Sequence, residues 1–200
     1  TVGNGYMGIR GAMEETTAGE YNYPGTYIAG LYNRLTTNVS NKDIINEDFV
    51  CAPNWMTITF KIDDGEWINP NNILIDKIHR DLNLKSGLLT RVMEITDNEN
   101  RQTKIESYRV GSMSNPNIAA IKYAITPLNY QGKITISSII DGAVINDGVK
   151  RYRELNQQHL EAVNQGGEEN ISWLTVKTNQ SKIEITEAAK DSSKIILATD

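Results

Sequence analysis

The chain is poor in the residues that build covalent or metal-linked frameworks. Its 200 residues include one cysteine, Cys51, and two histidines, His79 and His159, which stand 80 positions apart. A lone cysteine excludes an internal disulfide, and that histidine spacing excludes a local Cys/His zinc motif. No stretch approaches the roughly 20 apolar residues of a membrane-spanning helix. Positive charge is not in excess either. Twenty Lys+Arg against 25 Asp+Glu give a net charge of −5, which argues against nucleic acid or an anionic membrane as partner. The chain opens on Thr1 with no signal-peptide pattern, so the expected compartment is the cytoplasm. The three sequons at Asn38, Asn170 and Asn179 are accordingly read as unused.

What the chain has in quantity is β-branched sequence. Ile, Val and Thr account for 51 of 200 residues, and these side chains favour a pleated, half-buried surface. Residues 55–63 alternate, with Met56, Ile58, Phe60 and Ile62 on one face, and Asp64-Gly65 follows as a hairpin signal. Lys133 to Ile140 runs between a Gln131-Gly132 turn and Asp141-Gly142. Further strand candidates are 73–84, 88–96, 102–112, 118–126, 171–178, 182–187 and 194–198. Turn signals punctuate them from Asn69-Pro70 to Asp141-Gly142. Many strands in series predict a mostly β fold, a large antiparallel β-sandwich with at most one or two short helices, as a single domain over 1–200. The one helix candidate is 149–163, where Val149, Tyr152, Leu155, Leu160 and Val163 give approximate helical spacing and Gly166-Gly167 closes the segment. Residues 1–50 read as long loops with short strands.

Several motifs imitate catalytic signatures without their context. Gly3-Asn4-Gly5-Tyr6-Met7-Gly8 matches the dinucleotide glycine fingerprint, but only two residues precede it and Gly11 is a poor helix start, so a tight turn is the expectation. His79-Arg80-Asp81-Leu82 resembles a kinase catalytic loop, yet Ser86 stands where its metal-binding Asn belongs; a strand is expected. Cys51 is expected to be a small buried hydrophobe. Glu14-Glu15 has the composition of a glycosidase acid pair, but adjacent side chains usually diverge, and a solvated turn is the expectation.

An ordered set of segments resembles the N-terminal domain of glycoside hydrolase family 65, the disaccharide phosphorylase family. The set begins with Gly3-Asn4-Gly5-Tyr6-Met7-Gly8-Ile9-Arg10-Gly11 and Glu14-Glu15. It continues through Pro24-Gly25-Thr26-Tyr27-Ile28-Ala29-Gly30, Pro53-Asn54-Trp55 and Asp64-Gly65-Glu66. Then come Leu82-Asn83-Leu84-Lys85 with Gly87, Leu88 and Arg91, followed by Arg109 with Ser112-Met113. It ends with Ala119-Ala120-Ile121-Lys122-Tyr123 and Ile125-Thr126-Pro127. Asn83, Asn117, Gly111 and Ala52 depart from the family's usual residues. The final 40 residues carry little of the pattern.

The resemblance implies a β-sandwich that precedes a linker and an (α/α)6 barrel. The barrel carries the general acid and a site for inorganic phosphate, the co-substrate, and the resemblance implies no metal or organic cofactor. Phosphate splits an α-glucosyl disaccharide with inversion, giving β-glucose 1-phosphate and a sugar. A strand-rich chain of this length has no room for that barrel, so the chain is expected to be a truncated accessory domain, inactive alone. Its expected partners are its own catalytic barrel, the disaccharide and a second copy of the chain. The candidates for the sugar cleft or the domain interface are Asn4, Tyr6, Arg10, Asn54, Trp55, Arg91 and Arg109. Tyr6 and Trp55 suit either a sugar face or loop anchoring. The arginines suit carboxylates across an interface or within the sandwich. The alternative function is a free-standing carbohydrate-binding module, with Trp55, Trp67 or Trp173 as its platform.

Overall fold

Inward and outward side chains alternate along residues 32–39, 102–111 and 184–190 of the computed structural model, which describes residues 1–19, 22–146 and 155–195. Fourteen strands and no helix occur among these residues. Three short strands, β1 (Val2–Gly3), β2 (Met7–Ile9) and β3 (Thr26–Ile28), form one antiparallel sheet. β4 (Tyr32–Val39) and β5 (Lys42–Phe49) make a hairpin, and β6 (Asn54–Ile62) pairs with β11 (Ile134–Asp141). A four-stranded sheet runs in the order β10 (Ala119–Pro127), β9 (Gln102–Gly111), β8 (Leu88–Thr96), β7 (Leu74–Asn83). The last sheet joins β12 (Leu160–Glu168), β13 (Ile171–Thr178) and β14 (Glu184–Lys190). All of these pairings are antiparallel, and the mostly-β sandwich expected from the sequence is what forms.

Strand β6 ties two of the cores together. Phe60 and Ile62 pack with Ile68, Met93, Ile95 and Ile105 against the inner face of the four-stranded sheet. Met56, on the same face of the strand, packs with Val2 and Ile9. Leu31, Val50, Ala52, Leu160, Leu174 and Val176 build a separate core near the C-terminal sheet. Each such Phe, Ile or Leu contributes about 1.5–3 kcal/mol on burial.

Three expectations are corrected. The helix over 149–163 does not form where it is described: residues 155–159 are irregular and Leu160 opens β12, while 149–154 lie outside the described residues. Pairing of β12 with β13 overrides the approximate helical spacing. Gly166, read as part of a helix stop, instead lies opposite Trp173 in the ladder. A Cβ there would come within 2.4 Å of the indole, so the ring needs a bare backbone beneath it.

The second correction concerns residues 1–50, which hold β4–β5, a hairpin of two eight-residue strands, rather than short strands alone. Ser40 and Asn41 both have positive φ, 52° and 63°, the signature of a type I′ turn. Alternation was hidden because an inward position is polar. Asn33 is buried, with its Oδ1 accepting from the Gln180 and Ser181 amides and its Nδ2 donating to Asn179 Oδ1. The 194–198 strand does not form at residues 194 and 195, and 196–198 lie outside the described residues.

Candidate functional site

Polar residues at inward positions of the four-stranded sheet create a second layer beside its apolar one. Along β9 the buried residues are Thr103, Ile105, Ser107, Arg109 and Gly111. The register places Arg91 of β8 opposite Ser107, and Tyr123 of β10 opposite Ser107 on the other side. The loop after β2 lays Glu14 and Glu15 over this layer, and the Glu14 carbonyl is anchored by the Ile58 amide of β6.

The result is a sealed charge cluster. Glu14 and Glu15 are each 2% exposed, Arg91 5% and Arg109 1%. Arg91 Nη2 lies 2.5 Å from Glu15 Oε1 and 2.6 Å from Glu14 Oε2, while its Nη1 donates to Glu15 Oε2 at 2.8 Å. Arg109 Nη2 donates to Glu14 Oε1 at 2.5 Å, and Ser107 Oγ donates to the same oxygen. Tyr123 completes the set by donating its hydroxyl to Glu15 Oε1 at 2.5 Å. Two carboxylates face two guanidiniums, so the cluster is formally neutral. Arg109 also donates to the carbonyls of Arg10 at 2.6 Å and Ala12 at 2.9 Å, holding the N-terminal loop to the sheet.

This arrangement corrects the solvated-turn expectation for Glu14-Glu15. The two side chains converge because both meet Arg91. Burial pushes the Glu14 carboxyl up, but Arg91, Arg109 and the Ser107 hydrogen bond outweigh it and hold the group below the usual carboxylate range. Burial also works against the charge on Arg91, and Glu15 and Glu14 override it upward. Tyr123 is pushed well above its ordinary value by burial and the Glu15 charge. A general acid needs the opposite perturbation and a path to substrate. Glu14 has neither, so the cluster is a structural lock.

The remaining candidates do not converge on it. Asn4 organises the first turn: its Oδ1 accepts from the Tyr6 and Met7 amides, and its Nδ2 donates to the carbonyls of Ser112 and Pro116. Gly5 beside it has φ +88°, so the glycine fingerprint is a tight turn with no helix after it. Tyr6 stands exposed at the turn tip. The Arg10 guanidinium lies 4.3 Å from the centroid of Tyr23 and 5.4 Å from that of Tyr27, and only its backbone carbonyl joins the lock. Asn54 is buried, bonding Thr57 Oγ1 and the Met56 amide. Trp55 is half-buried with Nε1 donating to Thr26 Oγ1, which ties β6 to β3. Cys51 is buried, and burial pushes its thiol up. Among the described residues no group of three His, Cys, Asp or Glu side chains is placed to hold a metal ion. Sequence reasoning missed Ser107 and Tyr123. The available signal was their position, since both fall on the inward register of Arg109.

The chain is thus a mostly-β sandwich whose paired acids are locked inside. The family model for the glycosyl hydrolase family 65 N-terminal domain matches residues 1–194, and the chain belongs to that family. It is 40% identical, over 82% of its length, to a kojibiose phosphorylase of Caldanaerobacter subterraneus subsp. tengcongensis, of which it covers 20%. An uncharacterised glycosyl hydrolase of Mycobacterium tuberculosis is 38% identical over 94% of the chain, which covers 14% of that protein. A solved structure of a putative kojibiose phosphorylase from the human microbiome shares the fold. Its TM-score is 0.78 at 23% identity, and the match covers 94% of this chain and 24% of that one. The chain thus spans a fifth or less of the length of these two curated relatives.

Proposed function

We propose that this chain is the non-catalytic N-terminal accessory domain of an inverting disaccharide phosphorylase. In this reading it packs beside a catalytic domain that splits an α-glucosyl disaccharide with inorganic phosphate. The observation that carries the reading is the match of residues 1–194 to an N-terminal domain family, in a chain covering 20% of a kojibiose phosphorylase. The sealed acids support it from chemistry, because neither Glu14 nor Glu15 reaches solvent to protonate a leaving group.

The edge strand β7 supports packing against another domain. Among the described residues it pairs only with β8, and Ile78 and Leu82 are exposed along it. Between them Arg80 stands directly opposite Arg91 in the ladder. Burial and then the Arg91 charge lower the pKa of Arg80, and among the described residues it has no ion pair. A carboxylate presented by the catalytic domain would complete this edge.

Incubated with phosphate and kojibiose, maltose or trehalose, the chain alone is expected to release no glucose 1-phosphate. Release would overturn the reading. Mixed with a family catalytic domain supplied as a separate polypeptide, the chain is expected to co-sediment with it, and Leu82→Lys to abolish the association.

A further inference from the structure

A cleft of about 510 Å³ opens over the outer face of the β6–β11 pair. Alternation puts Thr57 and Thr59 on the face of β6 opposite Phe60, and the register sets Ile139 beside Thr57. These three residues line the cleft together with Trp67 and Asn71. We propose that this cleft binds a neutral pyranose-containing saccharide, with Trp67 as its stacking platform.

Of the three tryptophans, only Trp67 is open. It is 42% exposed, whereas Trp55 has its indole N–H engaged and Trp173 lies on Gly166. The backbone around Trp67 is fixed from both sides. Asn72 Nδ2 donates to the Trp67 carbonyl at 3.0 Å, and Asn72 Oδ1 accepts from the Asn69 amide. The next residue, Ile68, donates its amide to the Phe60 carbonyl and accepts from Thr59 Oγ1 at 2.6 Å. A platform held this way loses little freedom on binding.

Around the ring, the side chains of Asn71, Glu66 and Thr17 line the cleft and are exposed. A pyranose presents an apolar C–H face for an indole and a fan of hydroxyls for amides, carboxylates and threonines. The charge argues for a neutral sugar. Glu66 lines the cleft and no arginine does, while the nearby Lys61 Nζ sits 5.7 Å from the Trp67 ring centroid. A phosphate group would meet the carboxylate without a guanidinium to offset it.

The test is a titration of the whole chain with kojibiose, maltose and glucose 1-phosphate, read by tryptophan fluorescence and ligand-observed NMR. Saturable binding of the neutral disaccharides with a dissociation constant of about 1 mM or tighter is expected, with glucose 1-phosphate weaker. Trp67→Ala should weaken binding at least about tenfold, a factor that one lost stacking contact supplies. Asn71→Ala, at an exposed side chain, should weaken it in a well-folded chain. Trp173→Phe should leave it unchanged. Absence of saturable binding by the native chain would overturn the inference, as would native affinity in both Trp67→Ala and Asn71→Ala. The inference goes beyond the accessory-domain reading: glucose 1-phosphate release would overturn that reading and leave the saccharide cleft standing, and loss of binding here would do the reverse.

Discussion

Replacing Arg109 with Met isolates the energetic weight of the charge lock. Met retains most of the arginine stem's volume, so the perturbation is mainly the loss of charge and hydrogen bonds. Two charge-assisted bonds to the carbonyls of Arg10 and Ala12 disappear, each contributing about 1.5–3 kcal/mol. Glu14 loses one of its two guanidiniums, keeping Arg91 at 2.6 Å and the Ser107 hydroxyl. Removing one partner of a buried ion pair costs about 3–5 kcal/mol. These contributions overlap, so the expected loss is about 4 kcal/mol. With a urea slope of about 2 kcal/mol/M, the unfolding midpoint should fall by about 2 M.

A second ion pair of equal length supplies the control. Arg34 Nε lies 2.5 Å from Glu47 Oε2, but its side chain is 65% exposed, and such pairs contribute about 0–1 kcal/mol. If Arg109→Met costs no more than Arg34→Ala, the lock reading is refuted. The pH dependence gives an independent check. The Glu14 carboxyl is held below its unfolded value, so its contribution is present above about pH 4.5 and is lost as the pH falls through the lower folded value. The gap between native chain and Arg109→Met should therefore narrow in acid. The double variant with Glu14→Gln should cost less than the sum of the two singles, because the sites share a bond.

The reverse sign is expected at Glu187 of β14. Its carboxyl is pushed up to about 8 by burial, and its Oε2 has no hydrogen-bond partner. Below about pH 4.5 the group is protonated in both the folded and unfolded chain; between there and pH 8 ionisation favours unfolding. Glu187→Gln should match the native chain near pH 4 and exceed it by roughly 2–4 kcal/mol above pH 8, in urea melts at both values. Gly166→Val drives a side chain into Trp173, and should lower stability by about 1–3 kcal/mol. The near-ultraviolet circular dichroism of the indole should change with it.

Sequence pattern revealed the strands wherever inward positions were apolar. β8 and β13 fall on their expected spans, because Met93 and Ile95, or Leu174 and Val176, alternate with polar neighbours. β4–β5 was obscured because Asn33 occupies an inward position and answers to residues about 146 positions away. Glu14-Glu15 misled for the same reason. Local rules place adjacent acids in solvent, and only tertiary pairing with Arg91 and Arg109 draws both inside. The arginines were visible as candidates, with internal pairing among the alternatives. Ser107 and Tyr123 showed only their place on the inward register, because a serine or tyrosine in a β-pattern carries no mark of its partner.

The reach of Arg109 into the N-terminal loop has a consequence for the order of folding. Its bonds to Arg10, Ala12 and Glu14 close loops of 99, 97 and 95 residues. Such contacts wait on loop closure, whereas the β7–β8 and β8–β9 hairpins need only short-range pairing. Residues 10–15 leave the ribosome ahead of most of the sheet, yet their docking surface does not exist until β8, β9 and β10 have been made. Made before the sheet it docks on, this segment is thus among the last parts of the domain to settle, and until then both acids remain in water.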